Sequence, residues 1–286
     1  MTSALSWLNR NKLWGWILFL IYAPLVTFPH DTVQYYVNEI AIRFGHKKLY
    51  QGAAVMGVSL AVLFTLVFLL AWRKQPVRKL IGWFWLITMF LIFATWWGFM
   101  ANNTEIVHFP QYFPEGILLL ALTGSAVEAV AWGVFFGGLD ECFQYWFVVK
   151  RLNVPYDFND IFMDLLGTAA GVLFAMVFLK LEWREAGNWW KQVLARPGVR
   201  VILGIVIAGI LLWATGFMVL YEAPDAAPHW FSLSRQTKLP FWFSIGFLGP
   251  RTFHELTPIE GPLLNLAGIA LYALIDRRVR ISAPNA

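Results

Sequence analysis

The chain contains 286 residues, of which 59% are hydrophobic and only 14% are charged. Soluble domains carry about a quarter charged residues, so this composition excludes an ordinary soluble domain and predicts an all-α, polytopic membrane protein. The formal net charge of +5 does not predict nucleic-acid binding, because the basic residues flank apolar runs. The single Cys142 excludes an intramolecular disulfide.

The first elements are a spanning helix and an amphipathic connector. Residues 13–28 form an apolar run with no small-residue cleavage site after it, which predicts a retained signal-anchor helix. Residues 29–49 are polar, but Val33, Tyr36 and Ile40 recur at helical spacing and would share one face. We therefore expect this connector to lie in the plane of the membrane interface.

Two further apolar runs, residues 50–72 and 80–100, are long enough to cross a bilayer. The short turn between them is strongly basic and contains Arg73, Lys74, Arg78 and Lys79. Basic loops are typical of the cytoplasmic face, so this turn is predicted to be cytoplasmic.

The segment that follows decides the topology. Residues 105–148 could form one long crossing or two short crossings that meet at residues 123–125. Further spanning helices are predicted over residues 160–180, 200–221 and 261–275.

Charge favours the two-crossing alternative, with helices over residues 106–123 and 126–147. That arrangement has eight helices and both termini in the cytoplasm, and it places 14 of the 22 Lys and Arg residues inside and 8 outside. The excess of basic residues inside is the expected pattern for a membrane protein.

These elements divide the chain into three parts. Residues 1–79 are predicted to be a helix pair with the interfacial connector, residues 80–180 a central helix bundle, and residues 181–286 a second helix pair. The last part contains a long extracytoplasmic loop, residues 222–260, which is rich in aromatic residues. Loops of this length are usually functional or disordered, so we expect it to pack on the membrane or on a partner protein.

Ionisable side chains concentrate in one stretch of the apolar sequence. Such groups are costly at membrane depth, so each one is a functional candidate with a partner to be found. With two crossings, they converge at one side of the membrane, where they predict a polar pocket. The residues of this predicted pocket are His108, Tyr112, Asp140, Glu141, Gln144, Asp157, Asp160 and Asp164, and Glu115 is a further candidate.

The spacing of these residues supports a shared site. Asp140 and Gln144 are four residues apart and share a helix face. Asp160, Asp164, Gly167 and Gly171 follow at intervals of four, three and four residues, which places them on one stripe. The two glycines would let a neighbouring helix approach closely.

The combination of His108 with Tyr112, Asp140-Glu141-x-x-Gln144 and Asp160-x3-Asp164-x2-Gly167-x3-Gly171 resembles the motifs of VanZ-like membrane proteins. The resemblance covers residues 80–180, about a third of the chain. It implies a small bundle of membrane helices in the bacterial cytoplasmic (inner) membrane, associated with the cell envelope.

Three functions remain open. The first is handling of an envelope lipid or glycolipid at the predicted pocket, with His108 as general acid or base and Glu141 orienting it. The second is an accessory subunit of a larger membrane complex, with contacts through residues 222–260 and the aromatic-rich helices. The third is a transporter, whose only support is a similarity between His108…Glu115-Gly116 and His254…Glu260-Gly261.

The sequence leaves any cofactor unknown. A His with several carboxylates can bind a divalent metal, but no His-x3-His or Glu-x-x-His spacing is present, so no metal site is predicted. A Ser-His-Asp arrangement is disfavoured because Ser125 would lie on the opposite side of the membrane from His108. Membrane lipids are the expected partners.

Overall fold

A computed structural model describes residues 2–28, 30–148, 156–183, 187–221, 231–234, 240–244 and 251–281. Over these residues the protein is mainly helical. The helices are α1 (Thr2–Arg10), α2 (Lys12–Thr27), α3 (His30–Phe44), α4 (His46–Trp72), α5 (Arg78–Gly98), α6 (His108–Thr123), α7 (Ala126–Phe143), α8 (Phe158–Met176), α9 (Trp189–Leu194), α10 (Pro197–Ala214) and α11 (Glu260–Arg278). A 3-10 turn over Asn103–Val107 precedes α6, and a π-helical turn over Gln144–Val148 follows α7.

Four short strands complete the described structure. They are β1 (Leu181–Trp183), β2 (Met218–Val219), β3 (Phe231–Ser232) and β4 (Val279–Ile281). β1 pairs antiparallel with β4, so that Leu181 lies opposite Ile281, and β2 pairs parallel with β3. The first of these pairs joins the chain after α8 to the chain after α11.

Among the described residues, four helices are long and apolar enough to cross a membrane, namely α4, α5, α8 and α10. The all-α class is therefore confirmed, and these four helices identify the chain as a membrane protein. The other predicted crossings also form helices, but α2 and α6 have only 16 residues each. α7 has 18 residues but contains three acidic ones, Glu128, Asp140 and Glu141, so it is not among the four helices that are apolar enough.

Several helix boundaries differ from those predicted: α7 and α8 each end four residues earlier than expected, at Phe143 and Met176. α4 begins at His46, earlier than predicted, since the polar residues before Tyr50 continue the helix. α10 ends at Ala214, before the left-handed Gly216, and β2 follows. Residues 29–49 form helix α3 as their periodicity predicts, and Val33, Tyr36 and Ile40 are exposed.

Residues 105–148 form two helices rather than one. α6 ends because Gly124 adopts a left-handed conformation, with φ of 67°, that side-chain-bearing residues rarely adopt. α7 then begins at Ser125, whose hydroxyl oxygen accepts the N–H of Glu128. The carboxylate of Asp276 in α11 accepts two more N–H groups there, from Ala126 at 2.9 Å and Val127 at 3.3 Å, and bonds the Ser125 hydroxyl.

Helix α8 is the centre of the protein. Of its apolar window, 94% is buried within the chain, compared with 6% for α4. Glycines allow α6 to pack backbone to backbone against it: a Cβ at Gly171 would lie 1.9 Å from the carbonyl oxygen of Phe113. Likewise, a Cβ at Gly116 would lie 2.0 Å from the carbonyl oxygen of Thr168. This contact matches the close approach predicted from the glycine stripe.

The contacts also establish helix directions. Gly167 meets Phe109 and Gly171 meets Phe113, so α6 and α8 run parallel. In α7, by contrast, Gly133 meets Thr168 and the later Gly137 meets Asp164, so α7 runs antiparallel to α8. The start of α6, the end of α7 and the start of α8 therefore lie together, at what we term the His108 end. The turn between α6 and α7 lies at the opposite, Ser125 end.

The remaining long helices alternate between these two ends. α4 starts at the His108 end, where Asn103 donates to the Tyr50 carbonyl at 3.1 Å. After α4, the Gln75 side chain donates to the Val177 carbonyl at 2.6 Å, beyond the final turn of α8 at the Ser125 end. α10 starts at the Ser125 end, since the Gly198 N–H donates to Glu128 at 3.0 Å.

Candidate functional site

His108, the first residue of α6, lies between two carboxylates of α8. Its Nδ1 is 2.9 Å from Oδ1 of Asp164, and its Nε2 is 3.3 Å from Oδ2 of Asp160. A neutral imidazole carries one N–H, so this geometry needs a proton on both ring nitrogens or on one carboxyl group. The ring is therefore held at both nitrogens.

A second group of polar side chains comes from the end of α7. Oδ2 of Asp140 accepts from the Tyr112 hydroxyl and from the Gln144 amide, each at 3.4 Å. Gln144 also donates to Oε1 of Glu141 at 2.9 Å. Tyr112 lies one helical turn after His108, so it joins this group to the histidine.

We term the side chains of these two groups the His108 cluster. Its members are His108, Tyr112, Asp140, Glu141, Gln144, Asp160 and Asp164. Hydrogen bonds and ion pairs thus involve seven of the eight residues of the predicted pocket, and the eighth, Asp157, is close enough for its charge to act on Glu141.

The eighth residue, Asp157, has a local structural role. It is the N-cap of α8, and its carboxylate accepts the N–H of Asn159 at 2.9 Å and that of Asp160 at 3.3 Å. Burial, followed by the charge of Asp160, raises the pKa of Asp157 to about 7. As the N-cap, Asp157 fixes the residue at which α8 begins, and Asp160 lies in the first turn of that helix.

The His108 cluster is buried but not sealed. His108 is 5% exposed, Asp140 2% and Glu141 3%, and Asp164 is fully buried. The Asp160 side chain is 15% exposed, and Gln144 is also partly exposed. Access among the described residues is therefore at the Asp160 and Gln144 side.

Several acceptor atoms in and beside the cluster have no hydrogen-bond partner among the described residues. They are Oδ1 of Asp140, Oδ2 of Asp164 and Oε1 of Glu115, and the Thr168 hydroxyl is in the same state. Glu115 is 2% exposed, and it is close enough to Asp140 and Asp164 for their charges to act on it. Buried polar atoms without partners are rare in native proteins, and four of the seven among the described residues lie in or beside this cluster, so the cluster has hydrogen-bonding capacity that its own side chains do not use.

The partner of His108 differs from the one expected. The sequence suggested that Glu141 orients the imidazole, but Asp160 and Asp164 occupy the two positions beside the ring, and Glu141 accepts from Gln144. The rotation of α8 decides this, because it turns the Asp160–Asp164 stripe towards α6.

A neighbouring polar network was not predicted. Asn159 is buried, and its amide donates to the carbonyls of Phe99 at 2.8 Å and His254 at 2.9 Å. Its Oδ1 accepts the Leu256 N–H at 2.8 Å, so one side chain joins α5, α8 and the segment before α11. The only signal in the sequence was an Asn in an otherwise apolar helix face.

Beside this network, Glu105 closes the turn before α6. It accepts the backbone N–H groups of Ala101 and Asn102 at 2.9 and 3.3 Å, in a capping box with Asn102. Burial and then the charges of Asp160 and Asp157 raise the pKa of Glu105 well above its usual range. The Asn-x-x-Glu spacing is a recognisable signal for this cap.

The two similar segments noted in the sequence make different contacts. Nε2 of His254 is 3.2 Å from Oε2 of Glu260, whereas His108 contacts Asp160 and Asp164 rather than Glu115. The spacing similarity therefore does not extend to the hydrogen bonds.

The long loop of residues 222–260 is described in part. Residues 222–230, 235–239 and 245–250, and with them Glu222, His229, Arg235 and Phe247, lie outside the described residues. Phe241 and Trp242 are more than half exposed, and Phe241 stacks on His254 at 4.0 Å. Within the described ranges, no three or more His, Cys, Asp or Glu side chains are arranged to hold a metal ion.

The fold and the site together define an all-α membrane protein with a buried, carboxylate-rich cluster at one end of a helical core. Comparisons with models of protein families, with curated proteins and with solved structures find no match. The resemblance of residues 80–180 to VanZ-like proteins thus stays a prediction.

Proposed function

We propose that this chain is a VanZ-like, multi-pass protein of the bacterial cytoplasmic membrane that binds the polar headgroup of an envelope lipid or glycolipid at the His108 cluster. The observation that carries the proposal is the position of His108 between Asp160 and Asp164, where three helix ends meet and the Asp160 side chain is 15% exposed. A set of polar residues that only faced solvent would not need to converge in this way.

The distribution of charge supports an extracytoplasmic location for the cluster. The basic turn of residues 73–79, Arg196 and Arg200 of the α10 start, and Arg277 and Arg278 of the α11 end all belong to the Ser125 end. Excess basic charge is typical of the cytoplasmic face. With eight alternating crossings, both termini would be cytoplasmic and the His108 end would face outwards.

Exposed aromatic residues at the His108 end support a position at headgroup depth. Tyr35 and Tyr36 of α3 are 60% and 61% exposed, and Phe241 and Trp242 lie close to His254 at the start of α11. Amphipathic aromatic side chains favour the boundary between hydrocarbon and water. A lipid headgroup in the outer leaflet would lie at the same level as Asp160.

The state of the imidazole favours binding over proton transfer. Both ring nitrogens of His108 already face carboxylates, so the ring would have to leave Asp160 or Asp164 before it could take a proton from a substrate. This arrangement supports a proposed role in holding a ligand with hydrogen bonds rather than in moving a proton.

Lipid retention tests the proposal. The full chain would be purified in mild detergent from wild type, His108→Gln and Glu141→Gln, and bound lipid would be measured by native mass spectrometry. A matched control is Glu128→Gln: Glu128 is a buried acid on the same helix as Glu141 but at the Ser125 end.

We expect the two cluster variants to retain less than about a tenth of the wild-type lipid, which corresponds to a loss of roughly 1.4 kcal/mol of binding free energy. The control should retain wild-type lipid. Equal retention by correctly folded His108→Gln and Glu141→Gln would refute a headgroup site at the cluster.

One observation favours the second function, an accessory subunit of a larger membrane complex. Only 6% of the apolar window of α4 is buried within the chain, and 17% of that of α10, so both helices offer broad apolar faces. Either lipid or partner helices would cover these faces. Stoichiometric co-isolation of another membrane protein, lost on Leu-to-Trp changes at exposed Leu63 and Leu66, would support the subunit reading.

A further inference from the structure

We propose that the His108 cluster selects a headgroup that donates hydrogen bonds, either a sugar hydroxyl or an ammonium group, over one that is mainly an anionic phosphate. This inference rests on the proposed function and names the chemistry of its ligand. It follows from two properties of the cluster, the balance of donors and acceptors and the balance of charge.

The donors of the cluster are already in use, whereas acceptors remain. The Tyr112 hydroxyl and the Gln144 amide donate to Asp140 and Glu141, and both nitrogens of His108 face carboxylates. Oδ1 of Asp140 and Oδ2 of Asp164 have no partner among the described residues, although the two residues are 2% and 0% exposed. When these carboxyl groups are ionised, a ligand that satisfies the free oxygen atoms has to bring its own donors.

Glu115 extends the same pattern one turn deeper. It is 2% exposed, and its Oε1 has no partner among the described residues. It lies on α6 seven residues after His108, on the face that carries Tyr112. The row of free acceptors therefore runs inwards from the partly open side of the cluster.

Charge points to the same class of ligand. Seven carboxyl groups lie close enough for their charges to act on His108 or on one another, those of Glu105, Glu115, Asp140, Glu141, Asp157, Asp160 and Asp164. In the part of the chain that the structure describes, His108 is the only basic side chain in an ion pair with any of them. A phosphate would repel those carboxyl groups that are ionised, whereas an ammonium group would compensate their charge and a hydroxyl would donate to them.

A ligand donor could reach Asp140 from the side of Gln144. Gln144 is partly exposed, and its bond to Asp140 is 3.4 Å, at the long limit of a hydrogen bond. A hydroxyl or ammonium group can replace this weak donor without leaving Asp140 less satisfied. The Asp160 side chain would meet the same group at the outer edge.

Three probe lipids with identical acyl chains separate the possibilities: a glucosyl diacylglycerol, lysyl-phosphatidylglycerol and phosphatidylglycerol. Their affinities for the full chain in detergent would be compared by native mass spectrometry. We expect the sugar lipid, the lysyl lipid or both to bind at least about tenfold more tightly than phosphatidylglycerol. The tighter of the first two identifies hydroxyl or ammonium as the donor.

A substitution tests whether the free acceptor causes the preference. Asp140→Asn exchanges an acceptor for an amide donor at nearly constant volume, and it should reduce the preference over phosphatidylglycerol to within about threefold. Glu115→Gln gives the same test at a second position if Asp140→Asn does not fold, as judged by circular dichroism. An undiminished preference in the folded variants would overturn the inference.

The outcomes also separate this inference from the proposed function. If phosphatidylglycerol binds as well as or better than the other two, and Glu141→Gln abolishes its binding, the headgroup site stands and the donor preference is wrong. If none of the three lipids binds the wild-type chain, both the proposed function and this inference fail.

Discussion

The contact between α6 and α8 makes Gly171→Ala the most informative single substitution for the fold. A Cβ at this position would lie 1.9 Å from the carbonyl oxygen of Phe113, whereas real Cβ contacts begin at about 3.0 Å. The helices would have to separate by about 1.1 Å at this point, since the obstacle is backbone and no side-chain rotation relieves it. Overpacking of this kind costs about 1–3 kcal/mol, or roughly 2–10 °C in melting temperature for a chain of this size.

The same separation would reach the site, because His108 lies on α6 and Asp164 on α8. The 2.9 Å bond between them should lengthen, and the retained lipid should fall with it. Thermal unfolding of detergent-purified protein, followed by tryptophan fluorescence, provides the measurement. Gly209→Ala in α10 is the matched control, because a Cβ there would meet no atom within 4 Å. If Gly171→Ala melts within about 1 °C of Gly209→Ala, the close backbone contact does not exist as described.

Three further predictions concern a cap, a titration and the topology. Asp276→Ala removes the acceptor of two N–H groups and a hydroxyl at the start of α7, so it should lower the free energy of unfolding by about 1–3 kcal/mol. Asp276→Asn keeps one oxygen and should lower it by less. Equal melting temperatures for the two variants would refute the cap. Burial raises the pKa of Asp157 to about 7 from an ordinary 3.8. Between pH 3.8 and pH 7, the folded chain therefore keeps a proton on Asp157 that the unfolded chain has lost, so the free energy of unfolding should fall as the pH rises through this range. The melting temperature of wild type should therefore drop by roughly 2–4 °C more than that of Asp157→Asn between pH 5 and pH 8, and parallel profiles would contradict this. In a Cys142→Ser background, a cysteine at Lys74 should react only with reagents that reach the cytoplasm and one at Tyr36 with impermeant reagent from outside, and the reverse pattern would refute the proposed orientation.

The convergence of the polar residues could be predicted because it depends on helix order alone. Once residues 105–148 are divided at Gly124, the start of α6, the end of α7 and the start of α8 must lie at one end. The helical break itself was signalled by a Gly-Ser pair, in which Gly ends one helix and Ser caps the next.

The hydrogen bonds inside the cluster could not be predicted, because they depend on the rotation of each helix about its axis. A different rotation of α8 would have turned Asp160 and Asp164 away from His108. Backbone contacts at Gly167 and Gly171 set that rotation, and the sequence shows the glycines without showing which helix they meet. Asp157 could have been assigned from the sequence, because a carboxylate directly before a helix is a common N-cap. The preference for Asp at this position predicts its hydrogen bonds better than its inclusion in the polar pocket does.

The cap of α7 by Asp276 has a consequence for how the protein is made. The donors that open α7 are satisfied by a residue of α11, which leaves the ribosome about 150 residues later. Until α11 has been made, the N–H groups of Ala126 and Val127 have no carboxylate to accept them, so we expect the start of α7 to be completed only when α11 packs against it. The last spanning helix to be synthesised therefore fixes a turn near the middle of the chain, and the protein reaches its final structure only after its C-terminal part is present.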